Sequence, residues 1–336
     1  MLVLLAGSIL TIAGLDGFPM KSKRPPLGKK LEMSGDIGDF IPGERDDPVH
    51  DPTLFRHDGT YYVFSTGILR QPPHQPGGIY ARYSAGSLAG PWQSLGEIAV
   101  PEWTRDYNIQ HVWAPHVAKK EDTYYLYYAV SSFGTNRSAI GVMQSQNPGD
   151  LNSWMDLGPV ITSDPGVSYN AIDPMVFEDE GKWWIVFGSH FGGIYLQQLE
   201  DMKTPTGELY RIAARSGINA IEAPTIIKKD GYYYLFTSWD ACCRGVDSTY
   251  KIAVGRAEQV TGPYRDRNGK SLTAGGGEIL LESEGNQIGP GGQDVYEENG
   301  VYYLIHHYYD ALKNGVIRMQ IRVLDWDEEG WPVFHN

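Results

Sequence analysis

The chain of 336 residues contains only two cysteines, Cys242 and Cys243, and they are adjacent. Two neighbouring cysteines exclude a disulfide framework that ties distant segments together, and a zinc site would need further ligands at suitable spacing. A vicinal disulfide and a pair of reduced thiols are both compatible with the sequence.

Basic residues are also scarce. Lys and Arg number 28 against 41 Asp and Glu, which gives a net charge of −13. A nucleic-acid partner is therefore excluded, because phosphates require a basic surface to neutralise them. A neutral polymer such as a glycan meets no comparable repulsion.

Long hydrophobic runs are missing except for Leu2 to Leu15. This run is shorter than the roughly 20 apolar residues that span a bilayer, so we expect no membrane partner. Its length and the small residues Ala13 and Gly14 suit a secretory signal, although no basic residue precedes Lys21. Residues 1–20 are predicted to be a signal peptide or a disordered N-terminus, with a buried strand as the alternative. The protein is then secreted and extracellular.

Tyrosine and glycine, by contrast, are abundant, with 22 and 40 residues, and no stretch shows a convincing amphipathic helical period. A strand, a polar turn and an aromatic strand recur five times, and a third strand follows each pair. The turns are centred on Asp58, Asp122, Glu180, Asp230 and Asn299. Asp-Gly and Asn-Gly between β-branched and aromatic runs are strong hairpin signals. Five four-stranded units predict an all-β fold, a five-bladed β-propeller over residues 36–336, with a two-sheet β-sandwich as the alternative.

The fourth strand of a blade is the weakest signal. We expect it near Gly90-Pro91-Trp92 in the first blade and near Gly262-Pro263-Tyr264 in the fourth.

The innermost strand of each blade begins at one mouth of the axial channel, so the five strand entries should surround a single pocket. They are His50-Asp51-Pro52, Trp113-Ala114-Pro115, Ile172-Asp173-Pro174, Glu222-Ala223-Pro224 and Gln293-Asp294-Val295. Several carboxylates around one pocket cannot all ionise cheaply, which suits the acid and base of an inverting glycosidase. A carboxylate cage for calcium is the alternative.

The first four of these entries, together with Cys242-Cys243-Arg244-Gly245, resemble glycoside hydrolase family 43 and look most like its endo-1,5-α-L-arabinanases. The resemblance runs from about His50 to Pro332, with all motifs in family order. It implies a five-bladed propeller that hydrolyses arabinan with inversion. It also implies that Asp51 is the general base, Glu222 the general acid, and Asp173 the residue that raises the pKa of Glu222 and orients it. Acid and base should then lie roughly 6.5–9.5 Å apart.

The same resemblance assigns the ligand contacts. Trp113 and Phe133 match furanose-stacking positions, Asn170 belongs to the substrate-binding set, and His307 matches a histidine that helps to hold calcium, largely through waters. The segment Gly188–Gly192 departs from the aromatic-rich version usual in arabinanases.

Three other functions stay open at this point. An exo-acting α-L-arabinofuranosidase or a β-xylosidase could use the same scaffold, since one inserted loop can close a groove. A non-catalytic sugar-binding propeller could keep the carboxylates. We expect a monomer.

Overall fold

The computed structural model describes residues 29–35, 49–67, 78–107, 112–215, 217 and 219–334. The predicted signal segment 1–20, and residues 36–48 of the predicted propeller domain, lie outside this part. None of the short helices in the described ranges is long and apolar enough to cross a bilayer.

Twenty strands of the described residues form five antiparallel four-stranded sheets, and each sheet is one blade. Blades 1 to 3 consist of β1 (Thr53–His57), β2 (Thr60–Ser65), β3 (Ile79–Ala85), β4 (Gln93–Ile98), β5 (Trp113–Lys120), β6 (Thr123–Val130), β7 (Ser138–Ser145), β8 (Met155–Ser163), β9 (Met175–Asp179), β10 (Lys182–Phe187), β11 (Ile194–Leu199) and β12 (Pro205–Ala213). Blades 4 and 5 consist of β13 (Ile221–Lys229), β14 (Tyr232–Trp239), β15 (Lys251–Ala257), β16 (Glu278–Leu281), β17 (Gln287–Glu298), β18 (Val301–Asp310), β19 (Val316–Trp326) and β20 (Pro332–Val333).

The first two strands of every blade pair across the turns that the sequence predicts. In blade 1, His57 pairs with Thr60, and the two residues between them, Asp58 and Gly59, both have positive φ. Such a turn matches the twist of the flanking strands and favours Asp or Asn followed by Gly. The predicted five-bladed propeller is confirmed.

Adjacent blades are held together by hydrophobic packing between their faces. Five hydrophobic clusters each draw residues from two successive blades. The cluster between blades 5 and 1 includes Leu54 and Val63 from one side and Ile305 and Ile321 from the other. Because the last blade packs on the first in this way, the ring closes through side chains.

A short N-terminal segment, residues 29–35, reinforces this closure. Leu31 N–H donates to the carbonyl of Ile321 in blade 5, and Trp92 N–H in blade 1 donates to the carbonyl of Ser34. The side chains of Leu31 and Met33 pack against the cluster between the two blades. We call this segment the strap.

The outer strand of blade 4 is not where the sequence indicated. It is β16, whereas Gly262-Pro263-Tyr264 lies in the connection between β15 and β16, and the Tyr264 ring is buried in the cluster between blades 3 and 4. In blade 1, β4 directly follows Trp92, as predicted. An aromatic residue after Gly-Pro therefore marks core packing more reliably than it marks a strand.

Candidate active site

The blade entries share an unusual backbone conformation. Asp51, Ala114, Asp173, Ala223 and Gly292 all have φ between 44° and 56°, one in each blade. In the first four, a proline follows directly. Left-handed backbone is uncommon outside glycine, and such strain concentrates at functional sites. The five-fold repeat therefore extends to single residues at the channel mouth.

This comparison corrects the fifth entry, which is Gly292 and not Asp294. The Asp294 side chain is buried within β17 and accepts hydrogen bonds from Thr53 Oγ1 at 2.8 Å and from Leu54 N at 3.3 Å. Asp294 therefore links blade 5 to blade 1 instead of serving the pocket rim.

A cavity of about 1280 Å³ opens at these entries and is lined by residues of all five blades. Six of the seven predicted site residues line it: Asp51, Asp173, Glu222, Trp113, Phe133 and Asn170. The seventh, His307, is fully buried and lies against Asp51. Carboxylates from blades 1, 3 and 4 are thus brought to one cavity.

Asp51 is held by a dense network. Its Oδ2 lies 2.7 Å from His50 Nδ1 and accepts a hydrogen bond from Thr66 Oγ1 at 2.6 Å. Its backbone N–H donates to His307 Nδ1 at 3.2 Å, and the His50 ring stacks on His307 with centroids 3.7 Å apart. The carboxylate orientation is fixed from two sides.

The same network keeps Asp51 ionised. Burial alone would raise the pKa of Asp51, but the electrostatic interaction and hydrogen bond of His50, the neighbouring His307 ring and the hydrogen bond from Thr66 together lower it to about 2. Hydrogen bonds donated to the charged form favour the carboxylate. Asp51 can therefore accept a proton across the whole neutral range.

Asp173 has the opposite electrostatics. Burial, followed by the negative charges of Glu222 and Asp51, raises the pKa of Asp173 well above its usual value, and the hydrogen bond from Ala223 N–H at 2.9 Å opposes this only in part. Two carboxyls of one cavity are thus driven apart in pKa, which is how acid and base roles are separated at a single pH.

Glu222 lies between two hydroxyl groups. Tyr250 donates to Oε1 at 2.7 Å and Ser189 donates to Oε2 at 2.6 Å. The pairing of β13 with β14 is irregular between Glu222 and Thr225. Asp51 and Asp173 are themselves the positive-φ residues of their entries, whereas Glu222 comes one residue before the positive-φ residue Ala223.

Tyr250 reaches Glu222 because glycines leave space for its ring. A Cβ at Gly291 would overlap the Tyr250 ring, and one at Gly289 would lie 2.7 Å from Ser248 Cβ. Burial, followed by the charges of Glu222, Asp173 and Asp51, raises the pKa of Tyr250 well above its usual value. Tyr250 therefore stays neutral and keeps its O–H as a donor.

The predicted sugar-binding residues lie on one wall of the cavity. Trp113 and Phe133 have ring centroids 5.2 Å apart, and Phe133 is 78% exposed. An exposed flat ring beside a second ring is suited to packing on the apolar face of a sugar. Asn170 is buried, and its Oδ1 accepts a hydrogen bond from Ser138 Oγ at 2.6 Å.

The model of glycosyl hydrolases family 43 matches residues 50–332. The chain belongs to this family. It is 41% identical over 301 residues, 87% of this chain and 89% of the relative, to the extracellular endo-α-(1→5)-L-arabinanase 1 of Bacillus subtilis (strain 168).

Two solved structures show the same architecture. One, an exo-1,5-α-L-arabinanase from a bovine ruminal metagenomic library, aligns with a TM-score of 0.79 at 40% identity, covering 89% of this chain and 100% of that one. The other, a family 43 endo-arabinanase from Bacillus licheniformis, aligns with a TM-score of 0.78 at 41% identity, covering 88% and 100%.

Of the two states that the sequence allows for the adjacent cysteines, the structure shows the vicinal disulfide. Cys242 and Cys243 are bonded to each other and line the cavity. Cys243 N–H donates to Tyr309 Oη at 2.8 Å, and Tyr309 Oη lies 3.0 Å from His50 Nε2. The vicinal disulfide is thereby connected to the group that holds Asp51.

The residues near His307 fit a cation held through water. One ligand atom each from His50, Asp51 and His307 lies within 4.8 Å of the others. Since Asp51 N–H donates to His307 Nδ1, the ring carries its proton on Nε2, and this buried atom has no hydrogen-bond partner among the described residues. An N–H donor reaches a calcium ion only through a bound water, because calcium takes oxygen ligands.

Sequence reasoning missed the residues that surround the carboxylates. These are His50, Thr66, Ser189, His190 and Tyr250. Only His50 carried a signal, since it precedes Asp51 in the first entry. The other four residues come from loops and strand ends that are brought together only when the five blades pack around the axis.

Proposed function

We propose that this family 43 protein cleaves the α-1,5-linked L-arabinofuranosyl backbone of arabinan, endo-acting and with inversion of configuration. The observation that carries the proposal is the meeting of Asp51, Asp173 and Glu222 in one cavity, with the pKa of Asp51 lowered and that of Asp173 raised. The B. subtilis relative is named for this activity.

In the proposed reaction, Asp51 accepts a proton from a water molecule while that water attacks the anomeric carbon. Glu222 gives its proton to the glycosidic oxygen as the bond to the leaving sugar breaks. Asp173 sits beside Glu222, and because burial and the neighbouring carboxylate disfavour a second negative charge, the pair retains a proton that Glu222 can deliver. Trp113 and Phe133 hold the sugar by ring contact.

Catalytic variants on a defined substrate test this proposal. Asp51→Ala and Glu222→Ala should each lower kcat on debranched arabinan by about 10²-fold or more, the usual contribution of a general acid or base. Glu258→Ala, which removes an exposed carboxylate far from the cavity, serves as the control. Wild-type turnover in either variant would contradict the role assigned to the residue that it replaces.

The exo-acting alternative has specific support, because the solved structure with TM-score 0.79 carries an exo name. Product analysis separates the two modes. A rapid fall in viscosity with mixed oligosaccharides indicates endo action, whereas monosaccharide alone indicates exo action. Cleavage of nitrophenyl xyloside in preference to arabinan would assign a β-xylosidase, and tight binding without cleavage would assign a sugar-binding propeller.

Secretion is proposed on three observations: the apolar run at residues 2–15, the bonded Cys242–Cys243 pair, and the word extracellular in the name of the B. subtilis relative. Disulfides persist in oxidising compartments. Mass spectrometry of protein from culture medium should show a mature N-terminus within residues 14–21. Intact protein found only inside cells would contradict this.

We expect the secreted form to elute as a monomer in size-exclusion chromatography.

A calcium ion is proposed beside His307, held largely through water, where it would add positive charge next to Asp51 and orient its surroundings. Removing it with a chelator should lower Tm, and adding calcium back should restore it. No change in Tm on chelation would argue against a bound ion.

A further inference from the structure

The proposed reaction leaves a proton-transfer problem at Glu222, and the inference below rests on that reaction. Each turnover ends with Glu222 deprotonated, so a proton must return to its carboxylate before the next sugar bond can break. The carboxylate is largely enclosed, with a side chain 12% exposed. A nearby group that is both protonatable and in contact with solvent would meet this need.

His190 has both properties. Its Nε2 lies 3.5 Å from Glu222 Oε2, and its side chain is 45% exposed. It also lines the cavity. Histidine is the side chain that gains and loses a proton most readily near neutral pH. The distance is longer than a hydrogen bond, but such contacts commonly shorten when substrate closes the site.

The backbone holds His190 firmly in this position. Its N–H donates to the carbonyl of Ile221 at 2.8 Å, and its carbonyl accepts from Gly193 N at 2.7 Å and from Asn219 Nδ2 at 3.0 Å. His190 and Phe191 both have left-handed backbone, with φ of 51° and 37°. Non-glycine residues remain in such strained conformations where the surroundings enforce them, which is frequent at functional sites.

In the described part of the chain, charged groups on β13, on β12 and just after β12 lie near His190. Glu222 on β13 is the carboxylate in contact with it, and Asp173 lies beyond Glu222. Arg211 on β12 is turned to the carbonyl of Gly192, with Nε at 2.6 Å. Arg215 is paired with Asp240 at 2.5 Å and also binds the carbonyl of Ala220. The two arginines are thus occupied, and Glu222 is the charge that His190 faces most directly.

One oxygen of Glu222 is available to receive the proton. Tyr250 stays neutral and donates to Oε1, so a proton placed there would compete with this donor. Oε2 faces Ser189 and His190. The Ser189 hydroxyl can donate to Oε2 when Glu222 is ionised and accept from it when Glu222 is protonated.

We propose that His190 relays protons between solvent and Oε2 of Glu222. In the return step the Nε2–H bond of the imidazolium breaks and an O–H bond forms on Oε2. The carboxylate becomes neutral, and the imidazole takes its next proton from water or buffer. In this scheme His190 acts on the reaction through Glu222 and not on the sugar itself.

Chemical rescue tests the relay. His190→Ala should lower kcat on debranched arabinan by about tenfold, less than the loss of a group acting on the reacting atoms, and should leave KM unchanged. Added imidazole should restore kcat in a concentration-dependent manner. His57→Ala, at the far end of β1, should show neither effect. A raised KM without rescue would assign His190 to sugar binding and overturn the relay, as would unchanged kcat.

A second measurement needs no turnover. Nitrogen-15 NMR observes the His190 ring in the full protein, and Glu222→Gln should change the chemical shift of its Nε2 because the carboxylate 3.5 Å away is replaced by an amide. An unchanged Nε2 resonance would overturn the relay. Failure of wild-type protein to cleave arabinan would instead overturn the proposed function, and the NMR result would still report whether His190 and Glu222 interact.

Discussion

Two hydrogen-bond donors meet at one oxygen of Asp51, where His50 Nδ1 and Thr66 Oγ1 both approach Oδ2. A buried carboxylate would otherwise favour its neutral form. Thr66 also accepts from Ala114 N–H at 2.8 Å, so the hydroxyl that serves blade 1 is oriented by blade 2. The ionised state of the proposed base therefore depends on contact between two blades.

Removing the Thr66 hydroxyl should shift the pH dependence of the reaction. The pKa of Asp51 is lowered to about 2, partly by this hydrogen bond, so Thr66→Val raises it. The base must be ionised, and the acid limb of kcat/KM therefore moves to higher pH. One hydrogen bond of about 1 kcal/mol corresponds to a shift of about 0.7 pH units. Thr66→Ser keeps the hydroxyl and should show no shift, and equal profiles for both variants would contradict this role.

Ionisation of the buried Asp173 side chain should destabilise the folded protein at neutral pH. Its folded-state pKa is raised by burial and by Glu222. The folded state therefore binds the proton more tightly than the unfolded state, and stability falls as pH rises from the unfolded value through the raised one. Asp173→Asn removes this loss and can still accept from Ala223 N–H.

We expect Asp173→Asn to raise Tm at pH 7 by about 2 °C or more while reducing activity. At pH 3, where the carboxyl is protonated in both states, Tm of variant and parent should converge. A variant less stable than the parent at pH 7 would contradict the raised pKa. Calorimetry at the two pH values makes the comparison.

The sequence was informative where one residue carries its own local signal. Asp51 and Asp173 precede prolines at repeated strand entries, and Glu222 lies one residue before the same position. Tyr250 and Ser189 reach Glu222 from other segments, and no motif around either residue predicts its hydrogen bond to Glu222. Their roles depend on distances that exist only after the ring has closed.

Strand β17 belongs to blade 5, and its glycines also make room for side chains of the active site. Gly289, Gly291 and Gly292 leave room for Tyr250 on one side and for Asp51 and His307 on the other. A carboxylate is the wrong criterion for the fifth entry, because it leads to Asp294, two residues after Gly292. The repeated feature is the left-handed backbone, which glycine adopts without a side chain.

Gly292→Ala should therefore damage the site as well as the fold. The added Cβ would overlap Asp51 Oδ1 and lie 2.7 Å from His307 Nδ1, at a residue with φ of 54°. We expect a loss of about 2–4 kcal/mol in the free energy of unfolding, from overpacking and backbone strain together, and a fall in kcat.

Gly300→Ala is the matched control, because Gly300 also has positive φ, at 79°, but no atom lies near its added Cβ. It should lose only about 1 kcal/mol and keep its activity. If both variants retained full activity, the close approach of β17 to Asp51 would have no functional role. Urea unfolding and kinetics on arabinan provide the two readouts.

Hairpins and outer strands differed in how well they could be predicted. The inner hairpins follow from turn residues that tolerate positive φ, which is a local property. The position of β16 in blade 4 does not, because Tyr264 satisfies the aromatic pattern by packing into the cluster between blades 3 and 4. Outer strands have one neighbour and few sequence constraints, so packing decides where they lie.

At the scale of the whole molecule, a propeller must join its last blade to its first. Here the junction uses the hydrophobic cluster between blades 5 and 1, the bonds from Thr53 and Leu54 to Asp294, and the strap. The His50 and Asp51 pair belongs to blade 1, whereas His307 and Tyr309 belong to blade 5. The proposed base therefore sits on the junction, and its geometry depends on closure.

Loss of the strap should loosen this junction before it unfolds any single blade. A chain that starts at residue 36 loses the packing of Leu31 and Met33 and the backbone bonds to Ile321 and Trp92. Partial burial of two side chains and these bonds contribute about 2–3 kcal/mol, so Tm should fall by about 3–5 °C in a chain of this size. A chain that starts at residue 29 keeps the strap and is the control. Because blade 5 carries His307, the shorter chain should also lose kcat at temperatures well below its Tm. Equal Tm and equal kcat for the two chains would show that side-chain packing between blades 5 and 1 closes the ring unaided.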